Sequence, residues 1–78
     1  MRQIWTLESG INTTNEEIKK FFRRNKFFFI YEKEGKLILK SLNTDDELRT
    51  SSIKEKLFKD NGYARIKTQN TTYHFTKA

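Results

Sequence analysis

Apolar and polar residues recur with two different periods along this 78-residue chain, and the changes of period mark out its elements. Ile4, Trp5 and Leu7 lie in a β-branched and aromatic stretch, residues 3–7, that suits a short strand stopped before Gly10. Ile11, Ile18, Phe21, Phe22 and Asn25 then fall on one face at helical spacing. Thr13 and Thr14 each precede a glutamate by three residues, Glu16 and Glu17, as in a capping box. The spacing predicts a helix over about 14–24. Residues 26–33 switch to a strand that is apolar on both sides, with Phe27, Phe29 and Tyr31 on one face and Phe28 and Ile30 on the other. Such a strand belongs in a sheet interior, because on an edge it would invite aggregation. Glu34 and Gly35 make a two-residue turn into a second strand at 36–40.

In the second half, Thr44 with Glu47 and Ser52 with Glu55 repeat the capping-box spacing, and Ile53, Leu57 and Phe58 form a stripe. A second helix, mainly over 52–60 and ended by Asn61-Gly62, is expected, followed by strands at 63–68 and 72–76. The fold class is then α+β: one small domain over 1–78, in the order β-α-β-β-α-β-β, with two helices packed on an antiparallel sheet. The halves align at a spacing of thirty-six residues, Phe22 with Phe58, Asn25 with Asn61, Phe27 with Tyr63 and Ile30 with Ile66. This is compatible with an internal α-β-β duplication or with coincidence of composition. The order contains the βαββαβ of ferredoxin-like domains, but the glycine-flanked stacking aromatics of RNA-recognition strands are missing from 26–33 and 36–42. The helix-then-hairpin order of 52–77 matches part of a winged helix without its three-helix context.

A domain of this length buries only about 60% of the surface its unfolded chain exposes, so stability should be modest. With no cysteine it has neither a disulfide nor a thiolate metal site, and its core rests on Ile, Leu, Phe, Tyr and Trp. The longest apolar run, 27–31, is far short of the roughly 20 residues that span a bilayer. A soluble, cytoplasmic chain with no membrane partner is expected.

Charge carries the functional signal. The net charge is +6, and both halves are basic, with nine bases against five acids in residues 1–40 and seven against five in 41–78. Five phenylalanines interleave with five bases between Lys19 and Phe29. On a helix this run turns Phe21 and Phe22 inward and Lys19, Lys20, Arg23 and Arg24 outward, with Lys26 following and no acid between Ile18 and Tyr31. In the strand at 63–68, Tyr63, Arg65 and Lys67 share the face opposite Ala64 and Ile66. These eight residues, Lys19, Lys20, Arg23, Arg24, Lys26, Tyr63, Arg65 and Lys67, form the candidate contact surface, against the plain reading of solvated faces. Phe27 to Phe29 read as core rather than as base-stacking groups.

Enzyme chemistry finds little footing. His74 is the single imidazole and alternates away from Tyr73 and Phe75, with no evident acid-base partner. Asp45, Asp46 and Glu47 could hold a hard cation but are more simply helix-start acids. No glycine-rich phosphate loop exists among three scattered glycines, and no cofactor is implied. The expected function is a non-enzymatic, small basic nucleic-acid-binding protein, for DNA or RNA, acting as a regulator or accessory factor. The alternative is an interaction module or inhibitor docking on an acidic protein. A lesser alternative is a toxin-type ribonuclease using His74.

Overall fold

The computed structural model describes residues 3–8, 11 and 13–78. They form six strands and one helix: β1 Trp5–Leu7, α1 Glu16–Arg24, β2 Phe28–Lys33, β3 Lys36–Ser41, β4 Glu47–Phe58, β5 Tyr63–Thr68 and β6 Thr72–Lys77. Each strand pairs antiparallel with the next, and β6 returns to β1 through Thr6 opposite Thr76 and Leu7 opposite Phe75, which closes the sheet into a barrel. Closure hides most of the strand edges that an open sheet would expose. Gly10, the expected stop after the first strand, lies outside the described residues.

The first half follows the polarity pattern. The cap differs from the expected capping box: Asn15, not Thr13 or Thr14, caps α1, its Oδ1 accepting from the Glu17 and Ile18 amides, and Thr13 Oγ1 accepts from the Asn15 amide. Ile18 and Phe21 are buried, and the rings of Phe21 and Phe22 lie 6.0 and 5.6 Å from Phe28. The helix thus stops one end of the barrel, where β2 and β4 begin. Inside, Phe28, Leu37, Leu39, Leu48, Ala64, Ile66, Tyr73 and Phe75 form one continuous core with Trp5. Asn25 fastens the helix in place. It is buried, donates to Phe21 O and Asp46 Oδ2, and accepts from Ser41 Oγ and Thr44 Oγ1, so its amide is fully satisfied between α1 and the β3–β4 loop. The expected turn forms with Glu34 and Gly35 both left-handed, at φ 54° and 76°.

The second helix does not form, which overturns the α+β expectation of two helices on a sheet. Residues 47–58 are instead the long strand β4, and the fold is a mostly β barrel in the order β-α-β-β-β-β-β. The capping-box residues find other uses: Thr44 Oγ1 accepts from the Asp46 amide, and Ser41 Oγ accepts from the amides of Asn43 and Thr44, which makes a side-chain-closed turn. Two register shifts interrupt the alternation of β4. β4 carries an extra residue where it crosses from β3, between the Lys36–Ser52 and Ile38–Arg49 pairs, and another between Ile53 and Glu55 against β5. Leu48, Thr50 and Ile53 turn towards the barrel interior, and Lys56 and Phe58 continue that face at the exposed end of the strand, whereas Leu57 stands beside Arg65 on the outer face, so the stripe of Ile53, Leu57 and Phe58 joins positions from both faces. The bulges also bend the strand, so that its first part pairs with β3 and its second part with β5.

An internal α-β-β duplication falls with the helix, since α1 would correspond to a bent strand. Phe22 packs on the core, whereas its counterpart Phe58 is 54% exposed and Leu57 is 39% exposed. The Asn61-Gly62 signal survives in another role: Gly62, at φ 85°, turns β4 into β5 rather than ending a helix. Among the described residues β1 meets β2 at Trp5 and Phe28, and β3 flanks β2 along its whole length on the other side.

Candidate nucleic-acid interface

Strict alternation along β5 buries Ala64, Ile66 and Thr68 and turns Tyr63, Arg65 and Lys67 outward, as the sequence predicts. The neighbouring strands complete this face. On β6, Thr76, His74 and Thr72 stand opposite Tyr63, Arg65 and Lys67, and on β4, Leu57 and Glu55 stand opposite Arg65 and Lys67. Lys59, in the turn, places its ammonium 5.7 Å from the centre of the Tyr63 ring. Tyr63 Oη and His74 Nδ1 share a 2.6 Å hydrogen bond, so the imidazole has a partner that sequence spacing did not reveal. Arg65 and Lys67 make no ion pair among the described residues, although Glu55 faces Lys67 in register.

The helical bases are placed outward as expected but are less available. Lys19 and Arg23 approach Glu16 at 3.8 and 3.6 Å, and Arg24 approaches Asp46 at 3.6 Å. Glu16 precedes the acid-free stretch and reaches its bases through helical spacing. Asp46 comes from a loop distant in sequence. Such exposed pairs hold little energy, but they lower the local positive field. Lys20 opens onto a cleft of about 450 Å³ that also presents Glu17, Arg24, Asp46, Glu47 and Arg49, a mixed-sign lining with weak pull on an anion. Lys26 lies 5.5 Å from the Phe27 ring centre. The structure therefore keeps Tyr63, Arg65 and Lys67 together on one face and places the helical residues on a separate element.

The acidic cluster is divided among different partners. The hydrogen bond from Asn25, assisted by Arg24 and Thr44, holds the Asp46 carboxyl below its ordinary range. Glu47 is lowered by its 3.0 Å bond from Arg49 and by the Tyr31 hydroxyl, and Arg49 is raised in return. Among the described residues no three His, Asp or Glu side chains gather to hold a metal. No helix among them is long and apolar enough to cross a membrane.

A second basic and aromatic surface escaped the sequence reading. Phe29, Tyr31 and Lys33 on β2 share the outer face with Lys40, Ile38 and Lys36 directly opposite on β3. The signal was present in the alternation Lys36-Ile38-Lys40, but assigning β2 to the sheet interior hid it. Comparison with protein-family models, curated proteins and solved structures gives no match, so function rests on the chain's own chemistry.

Proposed function

We propose that this chain binds nucleic acid without cleaving it, in the cytoplasm, with the β4–β5–β6 face as its principal phosphate contact. The observation that carries this reading is the single outward row of Tyr63, Arg65 and Lys67, whose two cations make no ion pair among the described residues and lie beside Lys59 and the hydroxyls of Thr72 and Thr76. Unpaired cations attract phosphates without first breaking an internal pair. Hydroxyls add neutral donors to phosphate oxygens. The helical bases, already facing Glu16 and Asp46, contribute less.

The test is the double variant Arg65→Glu/Lys67→Glu, titrated against labelled oligonucleotides by fluorescence anisotropy over a range of salt. Both side chains are exposed, so stability should move by only about 0.5 kcal/mol. Affinity should fall at least about tenfold for all sequences, and the salt slope, about −0.9 per neutralised phosphate, should become shallower by about two such units. Arg23→Glu/Arg24→Glu should cost less. Undiminished binding in the β5 variant would refute the placement. Salt-insensitive capture of an acidic protein, with no nucleic-acid binding, would replace the reading with an interaction module.

A further inference from the structure

We infer that the chain selects RNA over DNA by seating one ribose in a polar cleft where the β5 row meets the end of β1, with the Glu8 carboxylate accepting from the 2′-hydroxyl. The inference rests on the nucleic-acid reading above and names its substrate class. The cleft has a volume of about 500 Å³ and is lined by Glu8, Lys59, Asn61, Gly62, Tyr63 and Thr76. Two connections build it. Gly62, left-handed at φ 85°, turns β4 into β5, its amide donating to Lys59 O at 3.2 Å while the Lys59 amide donates to Tyr63 O at 2.8 Å. On the other side Glu8 follows β1 and stays beside β6, its amide donating to His74 O at 2.8 Å. Trp5 and Leu7 pack on the core, so alternation turns Thr6 and the exposed Glu8 to the outer face.

The cleft lies at the end of the phosphate row. Lys67 stands opposite Thr72, Arg65 opposite His74 and Tyr63 opposite Thr76, three rungs that follow one another at two-residue steps of about 6.8 Å. A nucleic-acid backbone laid along them meets a cation or a hydroxyl at every rung. It then arrives at Tyr63, Thr76 and Lys59, which belong to the row and to the cleft wall at once. The sugar of the nucleotide held there stands within reach of Glu8 and Asn61.

Glu8 decides the sugar. It makes no ion pair among the described residues, and a carboxylate at neutral pH only accepts hydrogen bonds. The backbone of DNA offers acceptors alone, so beside it Glu8 is merely repulsive. The backbone of RNA carries one donor, the 2′-hydroxyl, which donates and accepts. Glu8 takes its proton, while the Asn61 amide and the Thr76 hydroxyl can donate to its oxygen. A hydrogen bond to an ionised acceptor is roughly twice as strong as one between neutral groups. The same carboxylate therefore lowers the affinity for DNA and raises that for RNA.

The experiment titrates the whole chain, by fluorescence anisotropy, with labelled oligouridine, oligodeoxyuridine and 2′-O-methyl oligouridine of equal length, in the parent and in Glu8→Ala. Bases and phosphates are the same in all three, so only the 2′ position differs. The parent should bind oligouridine about tenfold more tightly than either of the others, because a hydrogen bond to a charged group contributes at least the roughly 1.4 kcal/mol that a factor of ten represents. Glu8 is exposed and holds β6 through its amide, so Glu8→Ala should leave the melting curve unchanged and bring the three affinities to within about twofold of one another. The ratio is the readout, since removing an acid favours every polyanion. Asn61→Ala should narrow the gap in part. Uridine monophosphate, with a ribose but one phosphate, should not displace oligouridine at equal nucleotide concentration. Its displacement would assign the cleft to a free nucleotide and overturn the inference. Equal binding of RNA and DNA by the parent, or a preference for RNA that survives Glu8→Ala, overturns the ribose assignment and leaves the β5 reading standing. Failure of all three oligonucleotides to bind overturns both.

Discussion

Replacing Tyr73 by phenylalanine should stabilise the protein. Tyr73 is 1% exposed, stacks on Phe75 with ring centres 5.8 Å apart, and lies 6.3 Å from Phe22, so its ring belongs to the core. Its hydroxyl has no hydrogen-bond partner among the described residues. Thr71 comes near enough to favour the phenolate slightly but not in bonding geometry. A buried, unsatisfied polar group costs about 1–3 kcal/mol, and phenylalanine keeps every ring contact while removing that cost. Allowing for the small void left behind, a net gain of about 1 kcal/mol is expected, seen as a higher urea midpoint at unchanged slope, with Trp5 emission as probe. The same hydroxyl provides a second signature at high pH. Burial pushes it from 10.0 to about 12. Because the folded pKa is the higher one, its stability contribution is complete below pH 10 and is lost as pH rises towards 12. At 1.36 kcal/mol per unit the loss is at most about 2.7 kcal/mol, and solvent screening makes it smaller. The difference between the two proteins' stability curves isolates this residue from the other tyrosines. A variant less stable than the parent by 1 kcal/mol or more, or parallel alkaline limbs, would refute the reasoning, since either outcome means the hydroxyl is satisfied.

Two further changes probe the polar joint and the imidazole. Asn25→Ala removes four hydrogen bonds, one back to Phe21 O in α1 and three that tie the helix end to Ser41, Thr44 and Asp46, and strands Ser41 and Thr44, so it should cost about 3 kcal/mol in chemical denaturation. Asp46, whose pKa is depressed chiefly by Asn25, stabilises the fold fully above its unfolded value of 3.8 and loses that contribution as pH falls through the lower folded value. Asp46→Asn should therefore flatten the parent's stability loss below about pH 3.8, as measured by acid unfolding. His74→Gln deletes the bond to Tyr63 and should loosen the β5–β6 face slightly while leaving RNA and DNA uncut in both proteins. Metal-independent RNA cleavage by the parent that vanishes in the variant would make the chain a ribonuclease.

What could be read from the sequence was the local part of the fold. α1 declares itself because its period and apolar face lie within a dozen residues, although Asn15 rather than Thr13 or Thr14 caps it; β5 and β6 declare themselves by alternation, and β3 by the apolar run Leu37-Ile38-Leu39 after a turn. β4 was concealed by its own geometry. Each bulge shifts the phase of alternation by one residue, so two bulges in twelve residues break the period of two that would have marked a strand. Thr50-Ser51-Ser52 are weak helix formers, but local propensity does not tell a bent strand from a broken helix. Only the pairing partners on either side, β3 and β5, decide between them.

The site follows the same division. That Tyr63, Arg65 and Lys67 leave the barrel together is a consequence of alternation alone, and so was visible. Which cations remain unpaired is not a local property. Arg24 is matched by Asp46 because Asn25 holds that loop against the helix, and no spacing along the chain records the meeting. The outer face of β2 and β3 is hidden in the same way, because Phe29, Tyr31 and Lys33 meet Lys40, Ile38 and Lys36 only through the register of the hairpin, and an apolar run that reads as sheet interior shows its basic neighbours only once that pairing is known.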